Sequence, residues 1–469
     1  MTAASSGASA VSTYTPDHQR DPRQAVRPRG EAWRGHLIPL DGLRGLAILL
    51  VLLLHFTTDM EIPAGTVAAG VRSAFQIGWI GVDLFFVLSG FLITGILVDN
   101  KGGGRYFSAF YARRALRILP VYFLAVFATF HLLPRVFQDF DTGGVRTEAA
   151  FWLFLTNFRE LPYQLARTVG HFWSLAIEEQ FYLMWPLVVF LSPRTRARRI
   201  ALLTVILSPL LRYVALRAGV SGASVYHFTP FRLDGLATGA FIALSMRDPA
   251  ARAGLDRLSR IAGSIALLVA AVLYGPVHLT EPLSTQLDFS IGFSTLCIGF
   301  GALLTRVVLS APGSKLAGVI ALVVAGVLYG PVQLPEPLST QLDFSIGFSA
   351  LCIGFGALLT RVVLSEPDSR LARVLSWRGL VTLGTYSYAM YLVHVPLLRV
   401  VSKVAVPPQW PGSERYPLLW VFGYTAALGV LTLGVAMVSW HLCEKHFLAL
   451  KRHFPYDAQA QPAPYDRAA

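Results

Sequence analysis

The chain has 469 residues, of which 54% are hydrophobic and only 14% are charged. Soluble proteins carry about 25% charged residues, so this composition argues against a soluble enzyme. The net charge of +13 comes from short basic clusters between apolar runs, a pattern typical of membrane-protein loops rather than of nucleic-acid binding. The three cysteines, at positions 297, 352 and 443, fit neither a disulfide framework nor zinc-ligand spacing, so no metal site is predicted.

Twelve mostly apolar segments approach the roughly 20 residues that a transmembrane helix needs. They occur at 38–58, 79–98, 118–134, 172–191, 200–217, 231–246, 261–275, 289–309, 317–330, 344–364, 380–400 and 417–440. Basic clusters follow the even-numbered segments. The positive-inside rule therefore predicts an all-α, polytopic membrane helix bundle with both termini in the cytoplasm. Residues 1–36 are predicted to be a disordered basic cytoplasmic arm, and residues 449–469 a polar cytoplasmic tail.

An internal repeat lies in the second half of the chain. Residues 262–310 and 317–365 align at an offset of 55, and only six of 49 aligned positions differ. Each copy is predicted to form two helices joined by an external loop, so an extra copy preserves the orientation of all later helices. Neither copy carries a polar cluster suited to catalysis. The prediction is a ten-helix core plus a duplicated two-helix hairpin, within a membrane domain spanning 37–448.

Ionisable residues inside the spans are expected to face a cavity or a partner, because their burial in hydrocarbon is costly. In the first span, Arg44 and His55 are eleven residues apart, which places them about 20° from the same helix face with a rise of roughly 16 Å. Asp41 lies three residues before Arg44 and can pair with it. The alternative is that all three lie at the membrane interface. Asp83, among aromatic residues of the second span, requires a partner.

Two further groups of polar residues are candidates for a functional site. Arg114 and Arg117 lie one helical turn apart at the predicted cytoplasmic face, where such a pair suits phosphate groups, although topology alone would also favour arginine there. The polar residues at the start of the fourth span are His171, Trp173, Glu178 and Glu179. Adjacent carboxylates point to different sides of a helix, so at most one glutamate is expected to face the cavity of His55. The other candidates are Arg232, Asp234, Tyr388, His394 and Glu444.

Several of these segments resemble motifs of the membrane acyltransferase 3 family, from about residue 37 to 448 and in the family's order. They are DGLRGLAILLVLLLHF, GVDLFFVLSGFLIT, FYARRALRILPVY, HFWSLAIEEQFYL, FRLDGL and YSYAMYLVHVPLL. Members of this family transfer acyl groups, commonly acetyl from acyl-CoA, to hydroxyl groups of sugars and related acceptors. Some carry an additional extracytoplasmic esterase-like domain, which this chain, with 21 residues after Leu448, is expected to lack.

The resemblance implies an O-acyltransferase of the bacterial inner membrane, with His55 as general base supported by Glu178 or Glu179. Arg44 would stabilise the oxyanion or guide the donor, and Arg114 and Arg117 would bind acyl-CoA, with no permanently bound cofactor. The expected acceptor is a surface polysaccharide, a lipid-linked glycan or a glycosylated metabolite. Direct transfer and an acyl-enzyme route both remain open. The alternatives are a secondary transporter that uses buried charged residues, or a non-catalytic acyl-group flippase.

Overall fold

The computed structural model describes residues 37–137, 140–158, 161–274, 347–404 and 415–457. These ranges contain α-helices with short 3-10 and π-helical turns, and no β-strand. The α-helices are α1 (Ile38–Thr57), α2 (Val67–Gln76), α3 (Ile80–Asp99), α4 (Tyr106–Phe127), α5 (Leu133–Val136), α6 (Gly144–Trp152), α7 (Tyr163–Val169), α8 (Trp173–Leu191), α9 (Arg194–Arg217), α10 (Gly222–His227), α11 (Leu233–Met246), α12 (Pro249–Tyr274), α13 (Phe348–Leu364), α14 (Arg370–Leu375), α15 (Arg378–Val404), α16 (Pro417–Ser439) and α17 (Lys445–Ala449). The predicted arm and the predicted spans 289–309 and 317–330 lie outside the described residues.

Helices of membrane-spanning length dominate the described chain and confirm the predicted polytopic helix bundle. The stretches that are long and apolar enough to cross a membrane are Ile38–Thr57, Val67–Asp99, Tyr106–Val136, Leu165–Leu191, Arg194–Arg217 and Pro417–His453. Two shorter apolar helices, α11 and α13, pack among them. Each predicted span inside the described ranges coincides with a helix.

The helix that contains the start of the third predicted span begins earlier than that span. The third span was expected to begin at 118, whereas α4 begins at Tyr106. Arg114 and Arg117 therefore lie roughly 12 and 16 Å from the start of the helix. Both side chains line a polar cavity, and their position at the cytoplasmic face stays a prediction.

Short connecting helices were not predicted, although their start signals are present in the sequence. Thr66, Ser221 and Ser369 each accept a hydrogen bond from a backbone N–H three residues later, at the starts of α2, α10 and α14. A hydroxyl at this position satisfies a backbone donor that the helix itself leaves unpaired. These helices are too short to register as apolar spans.

The basic connections between helices meet at one end of the bundle, here called the basic end. Arg247 donates to both carboxylate oxygens of Asp99 at 2.5 and 2.7 Å. Arg198 pairs with Asp248 at 2.5 Å. These contacts join the end of α3 to the loop between α11 and α12 and to the start of α9. The grouping follows the predicted pattern of basic exits, while the side of the membrane that this end faces stays a prediction.

The first residues of the predicted polar tail form part of this end. After α17, the chain returns to α4, where Arg113 donates to the carbonyl oxygens of Lys451 and Phe454 at 3.0 and 3.3 Å. Arg105 donates to Asp457 through its side chain at 2.7 Å and through its backbone at 3.0 Å. These hydrogen bonds hold the pKa of the Asp457 carboxyl below its usual value. The C-terminal segment is thus attached to the helix that carries Arg114 and Arg117.

Glycine allows the closest helix contacts. A Cβ atom on Gly384 of α15 would lie 1.8 Å from the carbonyl oxygen of Asp41 in α1. A Cβ atom on Gly239 of α11 would lie 2.0 Å from the carbonyl oxygen of Val87 in α3. Without a side chain the two backbones touch directly, as small residues permit in membrane helix packing. These contacts position α1 and α3, which carry several of the candidate residues.

Two buried ion pairs connect α3, α9, α11 and α13. Arg232 donates to Asp83 at 2.6 Å, and Arg212 donates to Asp234 at 2.9 Å, with all four side chains at most 1% exposed. Ser349 of α13 donates to Asp234 at 2.6 Å and accepts from Arg212 at 2.7 Å. Asp83 thus has the partner that the sequence required. Arg212, which was not identified from the sequence, pairs with Asp234.

Helices α12 and α13 come from different copies of the repeat. Residues 262–274 of α12 begin the first copy, whereas α13 lies in the second copy. The two helices pack closely, since a Cβ atom on Gly263 would lie 2.3 Å from the Cβ atom of Ala357. Together they provide one pair of helices of the kind that each copy was predicted to form. Through Ser349, the second copy also supplies a buried polar contact that the sequence did not reveal.

Breaking one ion pair should destabilise the bundle more than removing both of its charges. Asp83→Asn removes the carboxylate to which the buried Arg232 donates, and breaking a buried pair in this way typically costs about 3–5 kcal/mol. The thermal midpoint in detergent should therefore fall strongly, and Asp83→Asn combined with Arg232→Met should recover much of the loss. Asp457→Asn, which breaks an exposed pair, is the control. Equal midpoints for Asp83→Asn and the control would show that the buried pair is dispensable.

Deletion of residues 275–329 should leave a folded protein. The deletion joins Tyr274 to Gly330, which restores the Tyr-Gly junction found in both copies, and it removes no residue of a described helix. The measurement is membrane yield and thermal midpoint beside the full-length protein, both of which should be nearly unchanged. A product that reaches the membrane but melts far below the full-length protein would show that the removed residues stabilise the bundle.

Candidate active site

A cavity of about 110 Å³ lies between α1, α3, α4, α8 and α15. Its polar lining consists of Arg44, Ser89, Arg114, Arg117, Ser174, Glu178, Glu179, Tyr182, Ser387, Tyr388 and Tyr391. We call this cavity the arginine pocket.

Three cations converge on the arginine pocket. Arg44 extends from α1 and pairs with Asp41 at 3.1 Å, as predicted from their spacing. Arg114 and Arg117 extend from α4, and the Arg114 guanidinium lies 5.6 Å from the ring centroid of Tyr182. At that distance the ring attracts the cation and helps to hold it in place. The pocket can therefore receive an anionic or strongly polar group inside an otherwise apolar bundle.

Both glutamates of the fourth predicted span face this pocket, although they are adjacent in sequence. Glu178 and Glu179 line the cavity together, and Glu178 accepts a hydrogen bond from the Tyr182 hydroxyl at 3.1 Å. The Tyr182 hydroxyl also contacts the Ser89 hydroxyl. The structure does not bring either glutamate into hydrogen-bonding contact with His55. Their carboxylates lie instead among the arginines.

A second polar group, here called the histidine cluster, contains His55, His171 and His394. Their ring centroids are 4.7 to 6.0 Å apart. Their partners are backbone carbonyls and one another: His171 donates from Nε2 to the carbonyl oxygen of Tyr391 at 2.9 Å. The cluster therefore unites His55 with two histidines that the sequence placed on other helices. In the described ranges, no three His, Cys, Asp or Glu side chains are arranged to hold a metal ion.

The hydrogen bonds of the cluster determine which nitrogen of His55 carries the proton. His394 Nδ1 lies 2.8 and 3.2 Å from the carbonyl oxygens of Tyr391 and Met390, so it is protonated and its Nε2 is an acceptor. His55 Nδ1 lies 2.9 Å from the carbonyl oxygen of Val51 and 3.3 Å from His394 Nε2. Both neighbours accept, so His55 carries its proton on Nδ1. Its Nε2 is left with the lone pair that a general base needs.

Tyr391 connects the pocket to the cluster. Its side chain lines the arginine pocket, and its hydroxyl lies 2.6 Å from Ser174 Oγ and donates to the carbonyl oxygen of His171 at 2.9 Å. Its own carbonyl oxygen accepts from His171 and His394. The histidine cluster is thus linked to the pocket through Tyr391. His55 itself is not among the residues that line the cavity.

The remaining predicted residues lie in different places. Tyr388 lines the pocket and donates to the carbonyl oxygen of Ile118 at 2.8 Å. Trp173 packs near the guanidinium of Arg232, which belongs with Asp83 and Asp234 to the buried ion pairs. Glu444 is buried and accepts from Ser439 at 3.2 Å, outside the pocket lining.

The pocket also contains polar residues that the sequence did not single out. The most prominent are the hydroxyl-bearing residues Ser89, Tyr182 and Tyr391. Such hydroxyls are common in membrane helices, where they often bond to their own backbone. Only their convergence in space distinguishes these three.

The sequence matches the family described as "Acyltransferase domain" (acyltransferase 3) over residues 38–315 and 253–440. The Bacillus subtilis (strain 168) protein YrhL, which is provisionally named as a peptidoglycan O-acetyltransferase, is 29% identical to this chain over 422 residues. The matched residues are 87% of this chain and 54% of that protein. The O-acetyltransferase OatA of Staphylococcus aureus (strain NCTC 8325 / PS 47) is 25% identical over 389 residues, 80% of this chain and 53% of the relative. The peptidoglycan O-acetyltransferase OatA of Listeria monocytogenes (strain EGD-e) is 25% identical over 390 residues, 79% of this chain and 51% of the relative.

This chain spans about half the length of these curated relatives. No solved structure matches it. The family matches together extend from the start of α1 to the end of α16 and include every residue that lines the arginine pocket or forms the histidine cluster. The chain therefore belongs to the acyltransferase 3 family of membrane proteins.

Proposed function

We propose that the protein is an integral membrane O-acyltransferase of the bacterial cytoplasmic membrane that moves an acetyl group from acetyl-CoA to a carbohydrate hydroxyl. One observation supports this proposal above all. A pocket with three arginines adjoins a histidine whose hydrogen bonds leave Nε2 free to accept a proton. The three arginines suit a polyanionic donor, and the histidine suits an acceptor that must lose a proton.

The donor would enter from the basic end. Acyl-CoA carries several phosphate groups, and Arg114 and Arg117 offer planar forks that grip such groups at two points. Arg44, on the opposite wall, would face the thioester carbonyl, where a fixed cation stabilises the oxyanion that forms during attack.

The acceptor hydroxyl would meet His55 on the far side of Tyr391. His55 Nε2 would take the hydroxyl proton as the oxygen attacks the acyl carbon. The resulting imidazolium keeps both Nδ1 hydrogen bonds, to Val51 and His394, so its ring does not have to turn.

The names of the relatives suggest the first acceptor to assay. The names of two of them include peptidoglycan, so peptidoglycan fragments should be tested as acceptors before other glycans. The assay uses protein in proteoliposomes with radiolabelled acetyl-CoA. Label on a glycan hydroxyl supports the proposal, whereas uptake of label without covalent transfer would favour a transporter.

His55→Ala should lower acetyl transfer by about 10²- to 10⁴-fold, the usual contribution of a general base. The measurement is initial rate at saturating donor, with the thermal midpoint as a check on folding. His441→Ala is the matched control, because exposed His441 also hydrogen-bonds through Nδ1 to the carbonyl four residues earlier, at 2.8 Å. A folded His55→Ala protein with near-normal turnover would remove His55 from the base role.

Arg114→Ala and Arg117→Ala should each raise the KM for acetyl-CoA about tenfold or more, since a charged hydrogen bond contributes about 1.5–3 kcal/mol. The KM for the glycan should change much less. Arg117→Lys should recover only part of the affinity, because lysine lacks the planar fork.

Arg199→Ala, which removes an exposed charge at the same basic end, is the control for simple electrostatic attraction. Its KM for acetyl-CoA should stay close to that of the unmodified protein. If Arg114→Ala and Arg117→Ala raise only the KM for the glycan, the arginine pocket is the acceptor site and the assignment of donor and acceptor is reversed.

A further inference from the structure

Ser89 occupies an unusual position in the arginine pocket. It lies near the middle of α3, and its side chain is partly exposed between buried neighbours because it faces the cavity. Most hydroxyls inside the helices of the described chain donate to their own backbone, as Ser208 and Thr360 do at 2.8 and 2.9 Å. Ser89 instead contacts the hydroxyl of Tyr182 on α8.

The direction of this hydrogen bond follows from the group at its end. Tyr182 donates its only hydroxyl proton to Glu178 Oε2 at 3.1 Å. The Tyr182 oxygen must therefore accept the proton of Ser89. The three side chains form a chain from Ser89 through Tyr182 to Glu178, along which a proton can leave the serine. An adjacent base of this kind is what makes a serine hydroxyl nucleophilic.

A second serine in the pocket lacks such a base. Ser174 Oγ lies 2.6 Å from the Tyr391 hydroxyl and donates to the carbonyl oxygen of His171 at 3.2 Å. The Tyr391 hydroxyl also donates to that carbonyl oxygen. A backbone carbonyl cannot hold a proton, so Ser174 has hydrogen bonds but no route for deprotonation. The two serines thus differ in chemistry although they line the same cavity.

We infer that Ser89 is an acyl-accepting nucleophile, with Tyr182 and Glu178 as its proton relay. The inference rests on the proposed O-acyltransferase function. Ser89 Oγ attacks the thioester carbonyl carbon while its proton passes through Tyr182 to Glu178. The carbon–sulfur bond breaks, coenzyme A leaves as the thiolate, and an acyl ester of Ser89 remains. The arginines of the pocket neutralise the oxyanion and the departing thiolate.

The second half-reaction returns the serine to its starting state. The acceptor hydroxyl gives its proton to His55, and its oxygen attacks the carbonyl carbon of the Ser89 ester. The bond from that carbon to Ser89 Oγ breaks, and Oγ recovers the proton held on Glu178 through Tyr182. His55 then releases its proton to water, which balances the thiolate released in the first step. The ester holds the acyl group in the protein after the bulky donor has left.

The test is to trap the acyl-enzyme. His55→Ala protein, blocked in the second step, is incubated with radiolabelled acetyl-CoA without acceptor, quenched in acid and digested. We expect one acetyl group on the peptide that contains Ser89, resistant to neutral hydroxylamine and released by alkaline hydroxylamine. In the same background, Ser89→Ala should carry no label, and Ser208→Ala, on α9 outside the pocket, should keep it. Tyr182→Phe should label the same peptide about 10²-fold or more slowly.

Ser89→Cys is a second variant that tests the same position if Ser89→Ala does not fold. Its acetyl group would be a thioester, so the label should become sensitive to neutral hydroxylamine. In protein that retains His55, Ser89→Ala should lower turnover by at least about 1,000-fold, as expected when a nucleophile is removed.

Three results would overturn the inference. One is label on another residue, and the second is a folded Ser89→Ala protein that turns over at a near-normal rate. The third is wild-type protein that acetylates the glycan while His55→Ala protein binds acetyl-CoA without becoming labelled. In each of these cases the O-acyltransferase function itself would stand. Wild-type protein that transfers no acetyl group at all would instead remove the proposed function, and the inference with it.

Discussion

A charge inside a membrane-embedded bundle must be paired or must face a polar cavity, and this constraint determines where the polar residues of the protein lie. Asp83 and Arg232 satisfy it by pairing, with both side chains at most 1% exposed. The arginines and glutamates of the arginine pocket satisfy it by sharing a cavity that can admit a ligand. The same rule thus produces a sealed structural contact in one place and an accessible site in another.

The site has two parts because its polar side chains lie at different levels along the helices. Arg44 lies toward the basic end of α1, whereas His55 lies near the opposite end of the same helix. Tyr391 of α15 connects the two levels through its hydroxyl and its carbonyl oxygen. A donor and an acceptor arriving from opposite sides would then meet near the middle of the bundle. Ser89, near the middle of α3, lines the arginine pocket.

Much of this arrangement could be predicted from the sequence, because apolar length and buried charge are local signals. The long helices, the pairing of Asp41 with Arg44 and the need of Asp83 for a partner were all recognisable in that way. The contact partners of His55 were not, because His394 lies 339 residues away along the chain. Ser89 and Tyr182 are ordinary hydroxyls until α3 and α8 pack together. Likewise, the sequence alone does not show that the side chains of Glu178 and Glu179 face the same pocket, because the arginines of that pocket lie on other helices.

The attachment of the C-terminal segment to α4 has a consequence for biosynthesis. Arg113 and Arg105 leave the ribosome in the first quarter of translation, but their partners at 451–457 follow more than 330 residues later. The wall that carries Arg114 and Arg117 therefore gains these contacts only after the last helix has been synthesised. A prematurely terminated chain would lack these contacts. An affinity tag fused after residue 457 would emerge beside that same wall.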